Sequence, residues 1–493
     1  MLAATISLTS GVLTVAFDDL SSDVVTLSIT PTGFEATGAN VPSGTGTVSQ
    51  FVVTDAGTVK TSSLTLLQAA QSLTGGLSIA ANVTAASIAD SVTTNGGAIL
   101  LEAPTTLAAV TLASGSGNQT FSGGITLAGD VAITATGGGA VNFSGGISTA
   151  GQTPGLTVNA GTAGAVTFSG VDSTIVGNVA VTARNIVISA DLVSTSGDIS
   201  LVGDAGATVA GAFHGVFLDG SGVEVKTLAS NLVAGATGAI SVRGRGGDAV
   251  AAGAPNDGAY GVYLRAGASI SAGGSGDVSV TGIGGVSTTD SYNSGVFVSN
   301  SNAANGVSEI ISAGGDITVT GTAGGATGAG VNYGVSVNSF GRIAAGGSGN
   351  VSVIGTATGT GGSGNSGVIV TNFNEFSQAA PTAAITSEGG GITLTGTGTA
   401  DGAAVVLRNA GKVASGGSGN VTIVADSVRF DTDGWTAPPT ATIGSVTAGA
   451  AGDATVAIRP RTTGTLIDLG GLDSLSGSPL VLGLTTTEID RIT

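Results

Sequence analysis

Three aspartates fall close together in the stretch "ADSVRFDTDGW": Asp426, Asp431 and Asp433, with Arg429 and Trp435 among them. Carboxylates at such spacing suit two kinds of chemistry. A pair can work on a glycosidic bond as acid and base or nucleophile, and a larger group can bind calcium. The "DTDG" portion lacks the rest of a calcium loop, so a plain turn where repeats end is the competing reading. His214 is the one histidine, with no second base of comparable quality to build a triad, and it reads as a loop or corner residue. "GGSGD" (273–277) is near the glycine-aspartate phrase of calcium β-rolls. Its aspartate falls one place early, the tandem period is absent, and Asn350 and Asn420 stand at equivalent places. The glycine runs do not follow a strand and open a helix, so no phosphate cradle is indicated. No metal and no cofactor is expected. Asn-x-Ser/Thr occurs at Asn82, Asn118, Asn142, Asn350 and Asn420, which is near chance in so hydroxyl-rich a chain, and no glycan is assigned.

The chain that must hold these residues is compositionally odd. Of 493 residues, 87 are glycine and only 9% are charged, where about 25% is usual. Hydrophobic residues still make up 41%, which excludes the profile of a disordered chain. They are mainly Ala, Val, Ile and Leu, with 4% aromatics, a mixture suited to short strands and tight turns. Thirteen basic against 31 acidic residues give a net charge of −18, which repels nucleic acid and anionic lipid. There is no cysteine, hence no disulfide, thiolate site or cysteine nucleophile. The start, "MLAATISLTSGVLTVAFDD", lacks the basic n-region of a signal peptide, so any export address is expected outside this chain. No window has the roughly 18 uninterrupted apolar residues of a membrane helix, and no membrane insertion is expected.

What organises the chain is repetition. "GDITVTGTAGG" (315–325) has close variants at 197, 276, 349 and 390. The first strand residues of these phrases and of two further copies are Ile199, Ile240, Val278, Ile317, Val351, Ile392 and Val421. A small hydroxyl follows each one: Ser200, Ser241, Ser279, Thr318, Ser352, Thr393 and Thr422. Then comes a second aliphatic residue, and glycine stands four after the anchor everywhere except at Ala425. This alternation predicts a strand with aliphatics inward and hydroxyls outward. A second strand follows, as in "GVFLD" (215) and "GVYLR" (261). A third is led by Ile270, Ile311, Ile343, Ile385 and Val413. Three short strands per repeat, glycine corners and no helical periodicity predict an all-β chain, a right-handed parallel β-helix (solenoid). Residues 1–60 alternate without a repeat of this length and are expected as an irregular N-terminal strand region or cap. Residues 61–190 read as compact β-helix coils, 191–460 as coils with long aligned loops, and 461–493 as a linker-like segment leading to a continuation outside this chain, so that the chain is expected to be a piece of a longer polypeptide.

Two surface features bear on binding. The outward hydroxyls would form a ladder able to hydrogen-bond sugars, or to order water as Thr-x-Thr ice-binding solenoids do; the alternative is that Ser and Thr are simply good exposed strand residues. The middle residue of the second strand is Phe217, Tyr263, Phe297, Ser336, Ile369 and Val406 in successive repeats. If its neighbours point inward, Phe217, Tyr263, Phe297, Ile369 and Val406 form an outward apolar stripe, which is either a partner interface or is covered by the inserted loops.

The phrases "GLTVNAGTAGAVTFSG" (155–170) and "GGAVNFSGGISTAG" (138–151), with the tail "GTLIDLGGLDSLSGSPLVLGLTTTEIDRIT" (464–493), resemble the large secreted β-helical proteins of bacteria. These are the filamentous haemagglutinin-like and autotransporter-passenger adhesins. The resemblance covers most of residues 100–493. It implies a rod at the cell surface or outside the cell, attachment to glycans, extracellular matrix or neighbouring cells, and further β-helical domains in the same polypeptide. The export signature Asn-Pro-Asn-Gly is absent, and "RGRGGD" (243–248) is not Arg-Gly-Asp, so partner-pore export and integrin binding are not carried over. The expectation is a structural and adhesive segment without enzymatic activity. The alternative is a β-helical polysaccharide lyase or glycoside hydrolase using Asp426, Asp431 or Asp433.

Overall fold

The computed structural model describes residues 4–17, 23–37, 44–55, 62–69, 72–151, 153–204, 206, 210–228, 237–248, 258–286, 292–300, 302–325, 331–358, 364–372, 383–399, 402–431, 444–450, 454–476 and 478–493. Strands dominate. Among the described residues, helix is confined to Ala303–Asn305 and Thr486–Ile489. No helix among them is long and apolar enough to cross a membrane. The chain forms two compact units, one within Met1–Ile199 and the other within Ser200–Ala229 and Thr237–Thr493.

In the second unit the three strands of each repeat go to three different parallel sheets. The first sheet contains Ile240–Arg245, Val278–Ile283, Ile317–Thr322, Val351–Thr356, Ile392–Thr397, Val421–Val424 and Val456–Arg459, in that order. Its register sets Ile240, Val278, Ile317, Val351, Ile392 and Val421 side by side, the alignment that the sequence repeat predicts. The second sheet runs from Val216–Asp219 through Val262–Arg265, Val296–Val298, Val335–Asn338, Val368–Thr371 and Val405–Arg408 to Val428–Asp431. The third starts at Glu224–Thr227 and ends at Ser445–Thr447. No strand here is satisfied by its sequence neighbours. Each bonds the equivalent strand one repeat away, and inward aliphatics stack into a continuous apolar core. The third strand differs from expectation in one place. Ile310, not Ile311, pairs with Ile270 and Ile343 and is fully buried. In "SEIIS" two isoleucines are adjacent, and only the neighbouring strands decide which faces the core.

Glycine at the fifth strand position has a steric cause. A Cβ added at Gly244, Gly282, Gly321 or Gly355 would run into the carbonyl oxygen of Gly261, Gly295, Gly334 or Gly367. The end of each first-sheet strand thus touches the residue that opens the next second-sheet strand. Backbone lies on backbone, and the insert between them is pinched at its base. Ala425 is the position without such an insert, since Val428 follows after one short turn, and its methyl is buried without conflict.

The aspartate or asparagine before each first-sheet strand is a rung. Asp277 Oδ1 accepts the N–H of Asp316 (2.8 Å), Asp316 Oδ1 that of Asn350 (2.7 Å), and Asn350 Oδ1 that of Gly391 (2.9 Å). The oxygen satisfies a corner N–H one repeat away, which accounts for the recurring "GD" and "GN".

The first unit uses the same plan with shorter repeats. Phe121, Phe143 and Phe168, each followed by Ser-Gly in the sequence, pair in register and stack at 5.0 and 4.8 Å inside the core. The N-terminal region is more regular than its sequence suggested. Val12–Phe17 pairs in parallel with Gln50–Asp55, which pairs with Gly76–Ile79, and Asp23–Thr30 pairs with Ser62–Ala69. Two antiparallel hairpins, Ala4–Thr9 with Val12–Phe17 and Asp23–Thr30 with Gly33–Thr37, lie on these strands. Alternation alone could not show which distant strands pair.

The tail, 464–493, closes part of the second unit's end. Glu488 Oε1 accepts the N–H of Phe430 (3.2 Å), and Asp473 accepts from Gly483 (2.8 Å) and from Val428. Burial, with the charge of Glu488 added, raises Asp473 to about 6 against the pull of those N–H donors.

Two outcomes follow. Gly321→Ala should lower stability by about 1–3 kcal/mol through overpacking, whereas Thr318→Ala on the exposed face should change it by less than about 0.5 kcal/mol; equal losses in denaturant melts would refute the backbone pinch. Because Asp473 is raised above its unfolded value of about 3.9, its contribution is full below about pH 4 and is lost as pH rises through about 6. Asp473→Asn should therefore flatten the stability-against-pH curve in that window.

Candidate functional site

The hydroxyl ladder lies on the outer face of the first sheet. Ser241, Ser279, Thr318, Ser352, Thr393 and Thr422 are successive partners in its register. Ser241, Ser279 and Thr318 are exposed, and Ser200, Ser352, Thr393 and Thr422 half-buried. Two further outward columns run alongside. One contains Thr281, Thr320, Ile354 and Thr395, the other Thr322, Thr356 and Thr397. Of the fourteen outward positions on the five strands from Val278–Ile283 to Val421–Val424, eleven are Ser or Thr, three are aliphatic and none is charged. In a chain of net charge −18, such a face stands out. Neighbouring hydroxyls are spaced by the strand separation of about 4.8 Å one way and by two residues of strand rise, about 6.6 Å, the other.

The apolar stripe is not a free surface. Tyr263, Phe297, Ile369 and Val406 are buried, and Phe217 is half-buried. The segment re-entering each second-sheet strand folds over that sheet's outer face and makes a second apolar layer. Tyr260 stacks on Phe297 (4.9 Å, 16°) and meets Tyr263 at 4.6 Å, with Phe217 against this group. Tyr333 and Ala403 cover Ile369 and Val406. The covering segments carry their own ladder. Asn293 Oδ1 accepts from Ala259 N–H (2.9 Å), Asn332 Oδ1 from Asn293 (2.7 Å) and Asn365 Oδ1 from Asn332 (2.8 Å), all three asparagines being buried. Sequence alone offered Asn at these places without a reason to expect stacking.

His214 belongs to the same aromatic group. Its Nδ1 accepts the N–H of Tyr260 (3.3 Å), and its ring lies 4.9 Å from Phe217 and 5.2 Å from Tyr260 and Tyr263. Arg265 covers Phe217 at 5.1 Å and grips Asp219 one repeat away through Nε (2.9 Å) and Nη2 (2.7 Å). Asp204 anchors the first insert. Burial works against its charge, but Gly206 N–H, Arg243 and Arg245 outweigh that and hold its carboxyl below the usual range.

The acid group is drawn apart. Asp426 sits in the turn before Val428–Asp431, a second-sheet strand whose Val428 and Phe430 point inward. The alternation in "SVRFD" was the sequence signal for that strand, hidden by its charged neighbours. Asp426 Oδ1 accepts N–H groups of Arg461 (3.0 Å) and Thr462 (2.8 Å), and Oδ2 the Thr462 hydroxyl (2.6 Å). Burial opposes its charge, yet these donors keep its carboxyl below the usual range. It borders a cavity of about 170 Å³ with Thr397, Thr399, Ser427, Leu475 and Leu480, but both its oxygens are engaged in holding the turn at 461–465. The Asp431 side chain and Asp433 lie outside the described residues. Among the described residues no three His, Asp or Glu side chains gather as a metal-holding group.

Ser336 is the polar member of the covered column, between Phe297 and Ile369. It is fully buried, and its hydroxyl meets no partner among the described residues. Ser336→Val should raise stability by about 1 kcal/mol, since it removes an unmatched hydroxyl and extends the apolar layer. Ile369→Ser should lower it by about 2 kcal/mol or more. Thermal melts of the two variants check both signs; a column open to solvent would leave both near zero.

Compared with protein-family models, with curated proteins and with solved structures, the chain matches none.

Proposed function

We propose that this chain is a structural and adhesive segment of a bacterial cell-surface or secreted protein, wound as a right-handed parallel β-helix and related to the filamentous haemagglutinin-like and autotransporter-passenger adhesins. It acts by geometry. A stiff stack repeats the same weak contact at fixed intervals, so that many contacts to a glycan, a matrix polymer or a neighbouring cell add through effective concentration. The observation that supports this most directly is the uncharged hydroxyl face, with Ser279, Thr318, Ser352, Thr393 and Thr422 in one column. A lone hydroxyl binds little beyond what water offers, but a column of them at constant spacing can follow a polymer that repeats. The catalytic alternative draws less support, because Asp426 spends both oxygens on the turn at 461–465.

The test is a glycan and matrix-protein screen with the target immobilised at high and at low density. Binding should appear at high density, fall steeply as density falls, and be abolished by Thr318→Glu with Thr393→Glu, while no polymer is shortened. Absence of binding to every surface would defeat the proposal. Depolymerisation that disappears in Asp431→Asn would replace it with the lyase or hydrolase reading.

A further inference from the structure

The corner between the second and third strands differs from repeat to repeat. It is three residues, 266–268, between Val262–Arg265 and Ser269–Ala272, and nine, 299–307, between Val296–Val298 and Ser308–Ser312. The longer corner, "SNSNAANGV", holds three asparagines. Two of them build it. Asn300, buried, donates through Nδ2 to Asn302 O (2.8 Å) and Gly306 O (2.7 Å) and accepts the Asn302 N–H on Oδ1 (2.9 Å). Asn302 Oδ1 accepts the N–H of Ala304 (3.0 Å). The third, Asn305, ends the short turn Ala303–Asn305, its N–H donating to Asn302 O (3.0 Å). Its side-chain amide bonds nothing among the described residues.

Asn305 is followed by Gly306. Asparagine before glycine favours attack of the backbone nitrogen on the side-chain amide, because the second residue has no Cβ to stand in the way. Gly306 is exposed, lies at φ 86° and has open space around it. Among the described residues its N–H makes no hydrogen bond, and only its carbonyl is held, by Asn300. The turn that carries Asn305 is closed by one backbone bond, a weak hold on the rotation that brings Gly306 N onto Cγ. The sequence has one other such pair, Asn95–Gly96, and there both reacting groups are tied. Asn95 Nδ2 donates to Ser72 Oγ (2.9 Å), and Gly96 N–H to Ser114 O (2.7 Å). The same two residues thus occur once with nucleophile and electrophile free and once with both held.

We propose that Asn305 is a site of spontaneous covalent modification, converting to aspartate and isoaspartate. The Gly306 nitrogen gives its proton to solvent base and attacks Asn305 Cγ. The new N–Cγ bond closes a cyclic imide, the Cγ–Nδ2 bond breaks, and ammonia leaves. Water then adds to one of the two imide carbonyls. Cleavage of the new bond leaves an ordinary aspartate at this position. Cleavage of the original peptide bond leaves isoaspartate, whose main chain runs through Cβ and Cγ and is one carbon longer.

The change falls where the corner is anchored. Asn305 O accepts the hydroxyl of Ser221, in the corner two repeats earlier (3.3 Å). A Cβ built on Gly267, one repeat earlier, would collide with the same oxygen. In isoaspartate that carbonyl becomes a free carboxylate, larger and charged, at a place with no room for one more atom. The corner lifts from the two before it.

Ageing of the full chain in mildly alkaline buffer at body temperature tests this without any ligand, so the outcome is independent of the attachment proposal. Peptide fragmentation, which locates the exchange of NH2 for OH and separates aspartate from isoaspartate, follows both Asn-Gly pairs. In the folded protein Asn305 should convert at least about tenfold faster than Asn95, because the two hydrogen bonds at Asn95–Gly96 add to its barrier. In denaturant the two should convert alike. Asn305→Gln, whose longer side chain closes the ring poorly, should stop conversion at this position with circular dichroism unchanged. Equal rates in the folded protein, or an Asn305 that reacts in denaturant and not in the fold, would overturn the site. Amide hydrogen exchange reads the consequence. The N–H groups of Asn302 and Ala304 should lose protection in the aged protein and keep it in fresh Asn305→Asp, which adds the charge without the extra carbon. Unchanged protection after ageing would overturn the lifting of the corner.

Discussion

Every feature of this chain depends on one constraint: a parallel strand cannot satisfy its own backbone. Ile317–Thr322 finds its ladder partners in Val278–Ile283 and the adjoining Gly284 on one side and in Val351–Thr356 and the adjoining Asn350 on the other. A strand of six residues has no tight hairpin to return through, so its partner must come from the next repeat at the same register. Register then dictates composition. Inward positions become columns of Val, Ile and Leu because any polar residue there would be buried without a partner. Corner positions become Asp or Asn because an N–H turned away from the ladder still needs an acceptor. The low charge and the monotony of the sequence are consequences of stacking like on like, since equal charges in one column would stand about 4.8 Å apart.

The inserts exploit a gap in that constraint. Between the first and second strands of a repeat the chain may leave the stack, provided that it comes back in register. The contact of Gly321 with Gly334, and its equivalents at Gly282 with Gly295 and Gly355 with Gly367, fixes departure and return at one point. With the base fixed, insert length ceases to matter to the sheets. The second apolar layer follows from the same device. Because each insert returns over the outer face of the second sheet, residues such as Phe297 and Ile369, which strand alternation alone would place in water, become core residues. The insert is thereby tied to the stack by packing as well as by covalent continuity. A residue held in the left-handed region, Val331 (φ 61°), marks the return, where Gly258, Tyr292 and Gly364 stand in the other repeats with the same backbone. That a β-branched residue is tolerated there indicates how firmly the surrounding layer holds it; Val331 itself packs against the Tyr333 cluster.

What was legible in the sequence divides along these lines. The anchors Ile240 to Val421 and their hydroxyl neighbours could be aligned by eye because period-two alternation and a fixed glycine offset are local properties. The choice of Ile310 over Ile311 was not local: it depends on Ile270 and Ile343, which lie far along the chain. The aromatic layer was visible as a list of residues, but whether it faced water or an insert depended on where the inserts return. The strand Val428–Asp431 was obscured because Asp426, Arg429 and Asp431 draw attention to chemistry, whereas its inward Val428 and Phe430 follow the same pattern as Val405 and Leu407. The end of the stack was least legible of all. Glu488 and Asp473 act as substitutes for a missing strand, and nothing in a carboxylate's neighbours along the chain announces that role.

That last point bears on how such a stack can end. A repeating ladder offers the same unsatisfied edge wherever it stops, and an edge that accepts one more strand accepts many. Charged and proline residues are the general remedy, and here the remedy is applied unevenly. Two carboxylates accept N–H groups of Val428 and Phe430 at one sheet end, and the last residues of the tail pair with Val446 and Ala448 at another. At the third, the apolar column is left half-covered at Val456 and Ile458.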